Sequence, residues 1–238
     1  MHTITSGVHR LPALLPDAIN AFLVEDVLLD AGARPSTRRI LRALQRTPLS
    51  AHVLTHAHAD HQGASHAVCV AHEVPLWCGA ADAAAVESGD LTGGLPANVV
   101  TRLQQRMWAG PAHPVARALR EGDVVAGFTV LETPGHSPGH IALWREHDRV
   151  LIAGDTMNGM HLLTTRRGVR EPPTLFTPDP LLNRESIRRL AALDPLVTVF
   201  GHGPECRNPD ELHALVAAFD AAKPSAAGPS PHQLASSR

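Results

Sequence analysis

The segment Thr55-His56-Ala57-His58-Ala59-Asp60-His61 gathers three imidazoles and a carboxylate directly after the apolar run Ala51–Leu54. In an extended chain, residues two apart point to the same side, so His56 and His58 can grip one ion together. Asp60 and His61 fall where the chain turns into a helix, and there they can face a second ion. Ala57 and Ala59 keep the intervening side free of bulk, and Gly63 lets the backbone turn. An isolated His-X-His reads as an ordinary surface loop. Three histidines and an aspartate at this spacing supply more ligands than one cation needs. Imidazole and carboxylate suit zinc, iron or manganese, and the absence of thiolate argues against a purely structural zinc.

Three further motifs each follow a strand-like apolar run. Pro134-Gly135-His136 follows Phe128–Glu132, Gly154-Asp155-Thr156 follows Val150–Ala153, and Gly201-His202-Gly203-Pro204 follows Val197–Phe200. Loops at strand ends are where a scaffold presents functional groups, and convergence of these four would build one site. Short strands are expected at Ile4–His9, Ile19–Val24, Val27–Asp30 and Val74–Cys78, with helices over Pro35–Arg46 and Gly63–His72. Such an order implies a buried sheet with helices on its outer face. Residues 80–118 are rich in Ala, Gly and Pro around a helix at Pro96–Trp108, and are read as a lid insertion. A loop at Met157–Pro180 precedes helices at Leu182–Leu193 and Pro209–Ala222. The domain is expected to span 1–222, and the Pro-, Ser- and Ala-rich tail 223–238 has nothing to bury and is expected to be disordered.

THAHADH resembles the HxHxDH signature of the metallo-β-lactamase superfamily, and the PGH, GDT and GHGP motifs come in that family's order. The resemblance covers about residues 4–215. It implies an α/β fold, a four-layer αββα sandwich with the site at one edge of the two sheets. It also implies that His56, His58 and His136 bind one divalent metal and that Asp60, His61 and His202 bind a second, with Asp155 bridging. Zinc is the expected ion. Asp60 would also orient the nucleophile, and Asp30, in Leu28-Leu29-Asp30-Ala31-Gly32, matches an early aspartate that buttresses the centre.

The resemblance implies hydrolysis of an ester, thioester or lactone. An aspartate at the bridging position argues against true β-lactamases. Glyoxalase II carries a C-terminal helical domain, whereas one helix and a loose tail follow His202 here. Similar lactonases usually set a tyrosine beside the metals, and this chain has none. A mononuclear iron enzyme resembling persulfide dioxygenases is the alternative, since it shares the same motifs. A non-catalytic binding module would have lost ligands, and none is lost.

A net charge of −2 offers no general attraction to phosphate backbones or anionic lipid, so a small-molecule substrate is expected, with neither nucleic acid nor membrane as partner. No apolar run reaches the roughly 20 residues of a membrane span. Three cysteines without CxxC spacing read as reduced, buried thiols of a cytoplasmic protein. A homodimer is compatible with the resemblance. Of the remaining histidines, His140 reads as supporting the centre rather than forming it. Leu91, Leu95, Met107 and Trp108 could form an apolar wall over the metals or equally be ordinary helix core. Arg166, Arg167 and Arg170 could receive a substrate carboxylate or simply form a solvated basic loop.

Overall fold

The computed structural model describes residues 1–12 and 17–221. β1 (His2–Thr5), β2 (Val8–Arg10), β3 (Phe22–Val24) and β4 (Val27–Leu29) form an antiparallel meander. The chain then passes through α1 (Thr37–Leu44) to β5 (Ala51–Leu54), through α2 (Ala59–Gln62) and α3 (Ser65–His72) to β6 (Leu76–Gly79), and through α4 (Ala83–Ser88) and α5 (Val99–Trp108) to β7 (Val115–Leu119). These seven strands form one sheet in sequence order, with β4 to β7 parallel. β8 (Val124–Val125), β9 (Phe128–Glu132), β10 (Ile141–Arg145) and β11 (Val150–Ile152) begin a second sheet. A separate hairpin, β12 (Asn158–Met160) and β13 (Arg167–Arg170), and α6 (Pro180–Ala191) lead to β14 (Val197–Val199) and then α7 (Pro209–Ala221). The second sheet runs β14-β11-β10-β9-β8.

Strand periodicity builds four layers from these parts. Val27 and Leu29, Ala51 and Val53, Phe128 and Val130, Ile141 and Leu143, and Val150 and Ile152 point into one core between the sheets. The alternate residues point outward, Leu28 toward Ile40, Leu44 and Val68 of α1 and α3, and Leu151 toward Ile187, Leu190 and Phe219 of α6 and α7. Each central strand is therefore buried on both faces, which is why its sequence reads as a continuous apolar run rather than an alternating one. The order is helix, sheet, sheet, helix: the expected αββα sandwich.

β9 and β11 are both antiparallel to β10, and β14 is parallel to β11, so β9, β11 and β14 all end at the same edge. The 55–61 loop after β5 meets that edge, and the Ile141 N–H donates to the Thr55 carbonyl across the two sheets at 2.9 Å. Four motif loops thus open onto one end of the sandwich.

Several boundaries differ from the sequence reading. The first strand breaks into a hairpin because Gly7 turns the chain at φ +69°. The helix expected from Pro96 starts at Val99, where Asn98 caps it reciprocally with Thr101. Residues 80–118 are not all insertion, since β7 pairs with β6 as the last strand of its sheet. The Met157–Pro180 stretch contains the β12–β13 hairpin, whose glycine-bearing strands pair only with each other and carry no apolar alternation. The tail expected at 223–238 lies outside the described residues.

Candidate metal centre

β5 releases the chain at Thr55, and Asp30 catches it there. Asp30 is 2% exposed and adopts φ +54°. Its Oδ1 accepts the Thr55 N–H at 2.8 Å, and its Oδ2 accepts the Thr55 hydroxyl at 2.8 Å and His61 Nδ1–H at 2.9 Å. Because the Thr55 hydroxyl proton goes to Asp30, His56 Nδ1–H donates to Thr55 Oγ1, at 2.9 Å. The same logic holds in the other loops. His136 Nδ1–H donates at 3.1 Å to Thr177 Oγ1, whose own proton goes to the Pro173 carbonyl. His202 Nδ1–H donates to the Ala18 carbonyl. Each outer hydrogen bond fixes a tautomer that leaves the Nε2 lone pair facing the centre.

The ligand atoms of His56, His58 and His136 lie within 4.8 Å of one another, as do those of Asp60, His61 and His202. Asp155 joins the two groups: its Oδ2 is 3.6 Å from His136 Nε2, 4.0 Å from His56 Nε2, 3.5 Å from His61 Nε2 and 3.0 Å from His202 Nε2. All seven side chains singled out in the sequence therefore converge. Such crowding demands glycine at position 201, where a Cβ would fall 1.9 Å from Asp155 Oδ1 and 2.6 Å from His61 Cε1.

Asp155 and Asp60 set the charge distribution. Burial disfavours the charged form of His61 and His202, yet Asp155 and the neighbouring carboxylates outweigh it, raising His61 well above its ordinary value and His202 to about 10. Burial would raise Asp60 and Asp155, but the same histidines hold both below the usual carboxylate range. His56 and His136 are pushed well below theirs, first by burial and then by neighbouring imidazoles, so both are neutral at pH 7. The Nε2 atoms of His56, His58, His61 and His136 and the Oδ1 of Asp155 are buried with no hydrogen-bond partner. An unpaired buried polar atom costs about 1–3 kcal/mol, and five clustered in one centre are anomalous unless a cation satisfies them. The donor set, imidazole with carboxylate, fits divalent zinc, iron or manganese.

Several supporting residues escaped the sequence reading. Asp82, 3% exposed, accepts the Ala57 N–H at 2.8 Å, the Ser137 hydroxyl at 2.7 Å and the Gly139 N–H at 2.7 Å, pinning the first histidine loop to the third. Asn20 Nδ2 donates to the carbonyls of Phe200 and Gly203, bracing the His202 loop. An acid within Ala80-Ala81-Asp82-Ala83 and an asparagine far from any motif give no local signal. His140 supports the centre, as its place after Gly139 indicated: its Nε2 accepts the Asp155 N–H at 3.0 Å, and its Nδ1–H donates to Thr133 Oγ1 at 2.8 Å.

A cavity of about 330 Å³ opens over the centre, with His58, Asp60, His136, Asp155 and His202 in its floor. Leu91, Leu95 and Trp108 form an apolar wall, while Met107, 50% exposed, points to solvent instead. The segment just after α5 is pinned to α2, since the Gly110 N–H donates to Gln62 Oε1 at 2.9 Å and Gln62 Nε2 to the Pro111 carbonyl at 2.8 Å. Arg166, Arg167 and Arg170 stand outside the cavity, and the Arg167 side chain is 78% exposed. Arg167 and Arg170 lie on β13, and Arg170 is half-buried, donating to the carbonyls of Gly168 and Arg166.

An αββα sandwich whose four strand-end loops crowd five histidines and two aspartates together is built to hold metal ions. Residues 14–202 match the model of the metallo-beta-lactamase superfamily, and the chain belongs to that superfamily, whose members bind divalent metals. The probable metallo-hydrolase YflN of Bacillus subtilis is 33% identical over 223 residues, covering 83% of this chain and 84% of that protein. A hydroxyacylglutathione hydrolase of Bdellovibrio bacteriovorus is 26% identical over 178 residues, which is 73% of this chain and 56% of that longer protein. The crystal structure of TTHA1623 in a di-iron-bound form superposes with a TM-score of 0.63 at 31% identity, covering 87% of this chain and 96% of that one. No helix among the described residues is long and apolar enough to cross a membrane.

Proposed function

We propose that this chain is a binuclear metallo-hydrolase that cleaves an ester, thioester or lactone bond in a small molecule. His56, His58 and His136 would hold one cation and Asp60, His61 and His202 the other, with Asp155 within reach of both groups. Zinc is the expected metal, and iron or manganese suits the same donors. The observation that carries this reading is the meeting of two complete ligand triads at one carboxylate oxygen, with four imidazole Nε2 atoms left buried and unpaired. Two cations held here would supply Lewis acidity and lower the pKa of water at the site.

The chain's own residues do the rest. Asp60 lies in the cavity floor, 3.3 Å from His202 Nε2 and 3.9 Å from His61 Nε2. As a carboxylate in the cavity floor it can accept a hydrogen bond from the attacking water and orient it. The Leu91, Leu95 and Trp108 wall excludes bulk water and receives the apolar part of the substrate. Residues 80–118 therefore act as a lid as far as β7.

Metal analysis of protein purified without added metal tests this reading. It is paired with turnover of thioesters, lactones, aryl esters and phosphodiesters under defined zinc, iron and manganese. Two metals per chain with carbonyl-ester turnover is expected. One iron per chain with oxygen consumption and no ester turnover would refute it.

A further inference from the structure

The net charge of −2 is a sum over the chain and hides an uneven distribution. From Ala31 to Ser50, and again from Leu91 to Arg120, there is no acidic residue, and α1 and α5 lie within these stretches. Arg38 and Arg42 stand one turn apart on α1 and are exposed, with Arg46 just beyond its end, while Ile40 and Leu44 on the opposite side are buried. The Arg34 guanidinium donates to the Arg106 carbonyl at 3.0 Å, so the turn leading into α1 meets the end of α5. Elsewhere on the molecule Arg145, Arg149, Arg184, Arg188 and Arg189 are ion-paired. Among the described residues, Arg34, Arg38, Arg42, Arg46, Arg102 and Arg106 have no carboxylate partner.

α5 is divided along its length. Thr101, Gln104, Gln105 and Trp108 line the cavity. On the outer side Val99, Val100, Leu103 and Met107 are exposed, an apolar stripe at helical spacing. Arg102 and Arg106, also exposed, run along its flank. A partner for this surface must bury aliphatic side chains and supply negative charge at once. Nucleic acid supplies the charge through its phosphates but no aliphatic surface. A second copy across a two-fold contact supplies the aliphatic surface but brings the flanking arginines of both copies together. An anionic bilayer meets both demands, with acyl chains beneath charged headgroups.

We propose that the outer face of α5, flanked by the arginines of α1, docks on an anionic lipid surface, with Val99, Val100, Leu103 and Met107 entering the boundary between headgroups and acyl chains. The helix that walls the cavity then lies at the membrane. This is a peripheral contact and not a span. It departs from the expectation drawn from net charge, because that sum does not record where the arginines lie. The inference rests on this surface alone and is independent of the hydrolase reading.

Flotation of the full chain with vesicles tests this, using phosphatidylcholine alone and phosphatidylcholine mixed with phosphatidylglycerol in equal parts. Wild-type protein should float with the anionic vesicles and not with the neutral ones, and added salt should release it. Arg38→Gln combined with Arg42→Gln should weaken binding about 30-fold, roughly fivefold for each arginine withdrawn from an anionic surface. Leu103→Ser combined with Met107→Ser should weaken it by about tenfold or more. All four positions are exposed, so thermal midpoint and metal content should match wild type in both variants and show the fold intact. An environment-sensitive fluorophore on Leu103→Cys should shift to the blue on anionic vesicles, which adhesion through charge alone does not produce; Cys69, Cys78 and Cys206 are buried and leave that label specific. No flotation with anionic vesicles, flotation that survives both double variants, or flotation without the blue shift overturns the proposal. So does a dimer that Leu103→Ser dissolves, or binding to polyuridylate, if either occurs without vesicle binding.

Discussion

Replacing Asp30 by Asn tests whether this residue, which touches no substrate, decides the metal centre. Asn tolerates the positive φ of +54° at this position, so the effect comes from the lost charge and the reversed hydrogen-bond polarity. Asp30 receives three donors: the Thr55 N–H and hydroxyl, both at 2.8 Å, and His61 Nδ1–H at 2.9 Å. An amide can accept on one side only, and its NH2 must then face a donor. If it faces Thr55 Oγ1 and His61 Nδ1, His61 is driven to the tautomer whose Nε2 carries the proton and cannot bind a cation. Hydrogen bonds to a charged group contribute about 1.5–3 kcal/mol each. A buried paired charge that is broken costs about 3–5 kcal/mol, and we expect a stability loss in that range. Loss of an outer partner of a metal-binding histidine lowers affinity about 10- to 100-fold. The assays are urea unfolding of metal-free protein and chelator competition for the two metals. The less tightly held cation should weaken by that factor while the first changes little. Wild-type affinity at both sites together with an unchanged urea midpoint would refute the reasoning.

Four further outcomes are expected. Metal uptake by Asp60, His61 and His202 should be strongly pH-dependent, because a cation must displace the protons that the carboxylates hold on the two histidines. Zinc titration from pH 9 to pH 6 should show stoichiometry falling from two toward one, whereas the His56, His58 and His136 group stays competent because His56 and His136 are already neutral. In metal-free protein the raised pKa of His202 contributes stability that is full below its unfolded value near 6.5. That contribution is lost as pH rises through about 10, so the thermal midpoint should decline over that window apart from other groups' contributions. Asp82→Ala removes the acceptor for Ala57 N–H, Ser137 Oγ and Gly139 N–H, and should cost roughly 3 kcal/mol in urea unfolding along with most of the turnover. Phe128→Ala, which empties a fully buried position between the sheets, should cost about 3–5 kcal/mol while metal stoichiometry is retained in the fraction that stays folded.

Much of this protein was legible in the amino-acid order, because the relevant physics is local. Imidazoles and a carboxylate packed between His56 and His61 announce cation chemistry from spacing alone. Apolar runs ending at Leu54, Glu132, Ala153 and Phe200 announce strands whose ends carry the remaining motifs. Only the tertiary structure decided which groups sustain them. Asp82 and Asn20 act on loops 25 or more residues away through buried hydrogen bonds, and no local pattern encodes a partner at that distance. Likewise the Asn158–Met160 strand forms because Arg167–Arg170 folds back beside it, and Met107 leaves the cavity while Trp108 enters it because adjacent positions on a helix face different ways. Chemistry that depends on residue type and spacing can be read along the chain; which hydrogen bonds are met is settled only when distant segments share one dry interior.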